Sequence, residues 1–118
     1  MKIPGPDHPI SITPAKGRVT VQFKGVRVAQ SDKALELKEA NYPPVIYVPR
    51  SDISMEHYQS TDHRTHCPYK GDASYFSLVA NGESAENAVW TYEEAYPSVK
   101  AIEGHVAFYP DKVTLEVH

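Results

Sequence analysis

The chain has 118 residues, with 12 Lys and Arg against 15 Asp and Glu, and therefore a formal net charge of −3. This length corresponds to one small domain, and 41% hydrophobic residues are enough to fill a single core. A mildly acidic chain lacks the basic surface that binds a phosphate backbone, so no nucleic-acid partner is predicted. No apolar run approaches the ~18 residues that a membrane-spanning helix needs, so no membrane partner is predicted either.

The first part of the chain, residues 1–17, is predicted to be an extended proline-rich arm. Four of the ten prolines lie within residues 1–14, where fixed φ angles and missing backbone donors disfavour helices and central strands. The arm has no apolar stretch typical of a signal peptide, and a single cysteine cannot form an intramolecular disulfide. These features predict a cytoplasmic protein with one β domain over residues 18–118.

Alternating apolar residues predict a hairpin at the start of this domain. Val19, Val21 and Phe23 alternate with polar residues, as in a strand with one buried face. The pair Lys24–Gly25 is typical of a two-residue hairpin turn, and the alternation resumes at Val26. We therefore expect two antiparallel strands with Val21 and Phe23 buried.

The following segments are predicted to be short and β-rich. A strand is expected within residues 32–39 and another over Val45 to Val48, which a proline ends. Either Ser51 or Asp52 is predicted to cap a short helix from Met55 to Tyr58.

The second half of the chain repeats the strand pattern. Strands are predicted over Ala73 to Val79 and Ala88 to Tyr92, and a helical turn over Pro97 to Ile102. A final hairpin is expected between His105–Tyr109 and Val113–Val117. The sequence thus predicts an all-β fold, a sandwich or a small curved sheet or barrel.

The polar stretch from Gln59 to Asp72 has almost no aliphatic residue and is predicted to be a loop. Residues 57–71 hold three of the six histidines and the only cysteine. Because polar loops on β scaffolds commonly carry binding or catalytic groups, we expect a pocket formed by residues 61–71.

This segment also carries a family resemblance. The run Thr-Asp-His-Arg-Thr-His-Cys-Pro-Tyr-Lys-Gly at 61–71, together with residues 50–52, 90–92 and 106–109, resembles the DUF427 family. These are small, mostly bacterial proteins of unknown function, and the resemblance covers about residues 18–117. It implies an all-β, single-domain fold similar to the Mss4-like (β-tent) fold. Relatives with that fold bind zinc through paired Cys-x-x-Cys motifs, which this chain lacks, so their zinc site does not transfer.

The cysteine is one candidate functional residue. His66 precedes Cys67 and His63 lies four positions before it. A neighbouring imidazolium, or Lys70, favours a thiolate, so a thiol-dependent enzyme that uses Cys67 with His63 or His66 is one open alternative. The other is a structural cysteine packed beneath the Pro68 turn.

A metal site is a weaker alternative. His57, His63, His66 and Cys67 are chemically competent ligands, but the side chains of the adjacent His66 and Cys67 diverge. No metal and no cofactor are predicted, and the remaining histidines, including His8 in the arm, are expected to be solvent-exposed.

Cations and aromatic residues together indicate a pocket for a small anionic or aromatic ligand. Arg50 and Lys70 flank predicted strand ends, and a guanidinium, an ammonium and flat aromatic walls suit a ring-bearing anion. If Arg50 instead pairs with a nearby acid and the aromatics fill the core, the domain is a structural or interaction module. Whether the chain is an enzyme stays open, and a monomer or homodimer is expected. The predicted ligand-binding residues are Arg50, Asp52, His63, Cys67, Tyr69, Lys70, Trp90 and Tyr92.

Overall fold

The fold is built almost entirely from strands. A computed structural model describes residues 1–118, with 56% of them in strands and 10% in short 3₁₀ helices. The all-β prediction is therefore confirmed. The strands are β1 (Ile10–Pro14), β2 (Val19–Phe23), β3 (Val26–Ser31), β4 (Leu35–Glu39), β5 (Val45–Pro49), β6 (Tyr58–Cys67), β7 (Gly71–Ala80), β8 (Glu83–Thr91), β9 (His105–Phe108) and β10 (Thr114–Val117).

These strands form two antiparallel sheets. The larger sheet has the strand order β1-β4-β5-β9-β8-β7-β6, and the smaller has the order β10-β2-β3. Each sheet ends in strands that have a neighbour on one side only, so the closed barrel that the sequence left open is not found. The 3₁₀ helices are Arg50–Asp52, Met55–His57 and Pro97–Ile102. None of the helices has the length and apolar character needed to cross a bilayer.

The main core lies between the two sheets. Val19, Val21 and Phe23 on β2 are at most 2% exposed and pack in one cluster with Leu78 and Val89 of the larger sheet. Alternate residues of a strand point to the same face, so the alternation read in the sequence delivers these side chains to one interior. The prediction that Val21 and Phe23 are buried is confirmed.

A second apolar cluster covers the opposite face of the larger sheet. Tyr75, Trp90 and Ala107 are register partners on β7, β8 and β9, so their side chains lie on one face. The helix Pro97–Ile102 packs onto this cluster through its buried Val99 and Ile102, and Tyr47 of β5 joins it. The larger sheet is therefore buried on both faces, and the second face carries the cavity described below.

Several predicted elements are present. The turn between β2 and β3 has positive φ at both Lys24 (50°) and Gly25 (80°), as the predicted two-residue hairpin turn requires. The strands predicted around residues 32–39 and 45–48 are β4 and β5. A helical turn occurs at Met55–His57, but no side chain caps it, so the capping role predicted for Ser51 or Asp52 is wrong.

The predicted loop from Gln59 to Asp72 is also wrong. Residues 58–67 form β6, which pairs with β7 and is the outer edge of the larger sheet. Most side chains of β6 are exposed, because an edge strand that no other layer covers does not need apolar residues. Only residues 68–70 form a turn.

The predicted C-terminal hairpin is a third correction. β9 pairs with β5 and β8, whereas β10 crosses to the smaller sheet and pairs with β2. The two strands were also predicted to line one apolar face with Val106, Phe108, Val113, Leu115 and Val117. The first four share one interior, because Val106 and Phe108 approach it from the larger sheet while Val113 and Leu115 pack against it from the other side, but Val117 is 45% exposed. A shared interior does not require pairing here, because the two strands face each other across the core.

Candidate functional site

A cavity of about 1050 Å³ lies against the second face of the larger sheet. Its lining comes from β4, β5, β7, β8 and β9, from residues 67–70 at the end of β6 and in the turn that follows, and from the segment after β9 up to the first residues of β10. Ligand pockets in proteins are typically about 300–1,000 Å³ and mostly apolar, so this cavity is large enough for a small organic molecule.

Aromatic rings form much of the cavity wall and hold one another in place. The Trp90 indole donates a hydrogen bond from Nε1 to the Tyr47 hydroxyl at 3.3 Å, and the Trp90 and Tyr109 rings lie 4.7 Å apart. Tyr75 shares hydrogen bonds with Thr65 at 2.9 Å and with Tyr109 at 3.5 Å. The cavity's aromatic side chains include Tyr47, Tyr69, Tyr75, Trp90, Tyr92 and Tyr109.

One end of the cavity is polar and is organised around Glu39 at the end of β4. One carboxylate oxygen accepts a hydrogen bond from Lys70 Nζ at 2.5 Å, and the other accepts one from His8 Nε2 at 2.7 Å. The Lys70 and Glu39 side chains are only 9% and 16% exposed. Burial of two charges is tolerated here because each neutralises the other and both carboxylate oxygens are hydrogen-bonded.

The surroundings of Glu39 determine its ionisation. Burial alone raises the pKa of this carboxyl, but the hydrogen bonds and charges of Lys70 and His8 outweigh it and hold the pKa below its ordinary value. Glu39 is therefore an anion at neutral pH.

The N-terminal arm packs beside this polar end. The Lys2 backbone N–H donates to the Pro68 carbonyl at 2.7 Å. The His8 ring stacks on the Tyr69 ring with centroids 4.0 Å apart, and Lys2 Nζ lies 5.9 Å from the Tyr69 ring centroid. The arm thus contributes one imidazole and one ammonium group to the region.

The only cysteine lines the same end of the cavity. Lys70 Nζ donates to Cys67 Sγ at 3.6 Å, and the Lys70 backbone N–H closes the turn on the Cys67 carbonyl at 3.2 Å. Cys67 is neither fully buried nor exposed. Its polar partner is therefore a lysine three residues later, and not a histidine.

Two tyrosine hydroxyls retain hydrogen-bonding capacity in the cavity. Tyr92 is 6% exposed, and its hydroxyl has no partner in the protein. Every fully buried side-chain nitrogen and oxygen is hydrogen-bonded, so the Tyr92 hydroxyl reaches the open space of the cavity that it lines. The Tyr47 hydroxyl accepts from Trp90 and still has its own proton to donate.

These phenols remain protonated at neutral pH. Burial raises the pKa of both Tyr47 and Tyr92 well above the ordinary value for tyrosine. The hydrogen bond with Tyr75, together with burial, raises the pKa of Tyr109 to about 12. All three are therefore hydrogen-bond donors at any physiological pH.

Five of the predicted ligand-binding residues share this cavity and three do not. The three that are not part of the lining are Arg50, Asp52 and His63. The Arg50 guanidinium donates to Glu93 at 3.0 Å and lies 5.3 Å from the Phe76 ring centroid, while Asp52 accepts from the Ser31 hydroxyl. Arg50 and Lys70 are thus not brought to one site. The predicted residues that line the cavity are Cys67, Tyr69, Lys70, Trp90 and Tyr92.

The histidines near Cys67 do not converge on its sulfur. His66 points to the other side of β6 and donates to Asp72 at 2.7 Å, while the His63 ring packs against Tyr75 at 4.5 Å. His57 instead hydrogen-bonds the Val79 carbonyl at 3.0 Å. No group of three or more His, Cys, Asp or Glu side chains is arranged to hold a metal ion.

Sequence reasoning did not identify His8 and Glu39 as site residues. The expectation that His8 is solvent-exposed is wrong, because the ring is held between Glu39 and Tyr69 and is 25% exposed. Glu39 lies 31 residues from each of its partners. A weak signal was available, since Glu39 ends a strand with buried Leu37 two residues before it, which places the carboxylate on the buried face.

Comparison with known proteins places the chain in one family. No curated protein is significantly similar to it. The family described as a domain of unknown function (DUF427) matches residues 11–118, which is all of the chain except its first ten residues. The chain is therefore a member of the DUF427 family.

Proposed function

We propose that this domain binds a small molecule with a flat aromatic body in the cavity on the second face of its larger sheet. The observation that carries the proposal is the cavity itself, about 1050 Å³ with walls of tyrosine and tryptophan and one polar end. An apolar pocket with a few convergent polar groups is the usual form of a small-molecule site.

The energetics favour an aromatic ligand over a purely anionic one. Burying about 200 Å² of ligand surface at about 25 cal/mol per Å² contributes roughly 5 kcal/mol, before the entropic cost of association. Electrostatic attraction is smaller, because Glu39 already neutralises Lys70 and Glu93 pairs with Arg50 outside the cavity. Ring contacts therefore provide most of the affinity.

The test is a thermal-shift screen of aromatic acids, amides, amines and nucleotides, followed by calorimetric titration of those that stabilise the protein. Val45→Trp places an indole into the cavity lining and is expected to abolish binding. Val117→Trp makes the same change at a residue of β10 that is 45% exposed and is not part of the cavity lining, and it should leave binding intact. A ligand that binds Val45→Trp normally would show that it occupies a different site.

A second candidate function is thiol chemistry at Cys67, and the observation that favours it is the Lys70 ammonium 3.6 Å from the sulfur. A nearby cation stabilises a thiolate. This function requires native Cys67 to react with iodoacetamide faster than the unfolded chain does, and Lys70→Met to remove that advantage. Its partner would be Lys70, since His63 and His66 lie against Tyr75 and Asp72.

A further inference from the structure

We infer that the cavity recognises a carboxylate on its aromatic ligand, through the hydroxyls of Tyr92 and Tyr47 and the ammonium group of Lys70. The inference rests on the proposed function and adds to it the chemical class of the ligand. It is carried by the hydrogen-bonding capacity that the protein leaves unused at the polar end of the cavity.

Each of the unused groups there can donate a hydrogen bond. The Tyr92 hydroxyl has no hydrogen-bond partner in the protein, although the residue is only 6% exposed. The Tyr47 hydroxyl accepts from Trp90 but donates to no group. Lys70 Nζ carries three protons, of which Glu39 and Cys67 accept two.

The strongest acceptor at this end is already occupied. One oxygen of Glu39 accepts from Lys70 and the other from His8, so the carboxylate faces its protein partners on both sides. A ligand that brings a further donor, such as an amine, finds this carboxylate already paired with Lys70 and hydrogen-bonded on both oxygens, and it adds a second cation beside Lys70. A ligand that brings an acceptor meets donors that have no partner.

Charge favours an anionic acceptor over a neutral one. The charges of Lys70 and Glu39 cancel, and the Lys2 ammonium, 5.9 Å from the Tyr69 ring centroid, adds a positive charge beside this end. Hydrogen bonds to an ionised acceptor are roughly twice as strong as those between neutral groups. A carboxylate also has two oxygens, which allows a phenol and an ammonium to be bound at once.

The donors and the ring contacts suit one molecule. Tyr47 has a hydroxyl that can donate to a carboxylate, and its ring is also part of the aromatic wall, where the hydroxyl accepts a hydrogen bond from Trp90. An aromatic acid can therefore place its ring against Trp90 and Tyr109 and its carboxylate toward Tyr47, Tyr92 and Lys70.

The experiment uses three probes with the same ring: phenylacetate, phenylacetamide and phenethylamine. Each is titrated into the full chain by NMR chemical-shift perturbation. We expect phenylacetate to bind most tightly, phenylacetamide more weakly, and phenethylamine most weakly. The phenylacetate affinity should also fall as salt concentration rises.

Tyr92→Phe tests the hydroxyl directly, because it keeps the ring and removes only a group that has no partner in the protein. The variant should keep the thermal midpoint of the parent and bind phenylacetate about tenfold more weakly, as expected for loss of a hydrogen bond to a charged group. Binding of phenethylamine should not change. Tyr96→Phe, at a tyrosine outside the cavity lining, is the matched control and should bind like the parent.

The outcomes separate this inference from the function on which it rests. If phenethylamine or phenylacetamide binds as tightly as phenylacetate, or if Tyr92→Phe binds phenylacetate normally, the carboxylate assignment is wrong while the aromatic cavity stands. If none of the three probes perturbs resonances of the cavity residues at millimolar concentration, both the inference and the proposed function are wrong.

Discussion

Glu39 shows how one carboxylate can join two distant parts of a chain. It binds Lys70 from the turn after β6 and His8 from the N-terminal arm. The arm and the turn are therefore both fixed to the end of β4. Loss of this one side chain would leave a buried ammonium group without its counter-ion, which is costlier than loss of a surface charge.

We expect Glu39→Gln to destabilise the protein at pH 7 by roughly 1–3 kcal/mol, since Lys70 and His8 lose an ionised acceptor. The folded-state pKa of Glu39 lies below its ordinary value of 4.5. The stabilisation is therefore fully present above pH 4.5 and is lost as the pH falls through the folded-state pKa. The difference between variant and parent should shrink accordingly in urea denaturation curves measured from pH 7 to pH 3.

The control for this experiment is Glu116→Gln, which removes an exposed carboxylate on β10 that has no ion-pair partner. Its effect should stay within about 0.5 kcal/mol at every pH. A constant difference between Glu39→Gln and the parent from pH 7 to pH 3 would show that ionisation of Glu39 contributes no stability.

Cys67 gives a second prediction at the residue scale. We expect iodoacetamide to label the native protein more slowly than the unfolded chain, because Cys67 is half-buried against the second apolar cluster and lines the cavity. Saturating phenylacetate should slow the native reaction further. Mass spectrometry of the labelled chain measures both rates, and faster labelling in the native state would favour the thiol chemistry considered above.

The contacts between residues that are distant along the chain were the part of the site that could not be predicted from the sequence. Cys67, Tyr69 and Lys70 were found because they are adjacent and chemically distinctive. His8 and Glu39 were not found, because nothing local marks an ion pair that closes over 31 residues. Their meeting depends on the pairing of β1 with β4, which no pattern within either segment encodes.

Elements with one buried face could be predicted from the sequence, whereas an element with no buried face could not. The strands β2 and β3 carry apolar side chains at alternating positions and were predicted correctly, as was β5, a short apolar run with buried side chains on both faces. β6 has an exposed polar residue at most positions and was interpreted as a loop. Periodicity reports burial, so it cannot detect a strand held mainly by backbone hydrogen bonds to one neighbour.

The hairpin of β2 and β3 provides a test of the inter-sheet core. Phe23→Ala should lower the free energy of unfolding by roughly 3–5 kcal/mol, because the ring is 2% exposed and its removal leaves a cavity between the sheets. Urea denaturation measures the change. Gln22→Ala, one residue earlier on the exposed side of β2, should alter the unfolding free energy by less than about 0.5 kcal/mol, and comparable losses from both variants would contradict the described packing.

At the scale of the whole molecule, the two sheets should unfold together. One apolar cluster contains residues of both, including Val21 from β2 and Leu78 from β7, so neither sheet can lose its partner and keep its core. Far-UV circular dichroism reports all strands, whereas Trp90 fluorescence reports the opposite face of the larger sheet. We expect both signals to give the same urea midpoint, and two separate midpoints would show that the sheets are independent units.

The polar character of β6 has a consequence for how copies of this protein behave at high concentration. An edge strand exposes unpaired backbone groups, which can recruit a strand from a second chain and begin aggregation. Here the edge carries charged and imidazole side chains, and its register breaks between Ser60 and Arg64, so an incoming strand finds no regular apolar template. At the opposite edge, Pro14 of β1 has no N–H to offer. The residues that concealed a strand from periodicity analysis thus also disfavour growth of the sheet from one molecule into the next.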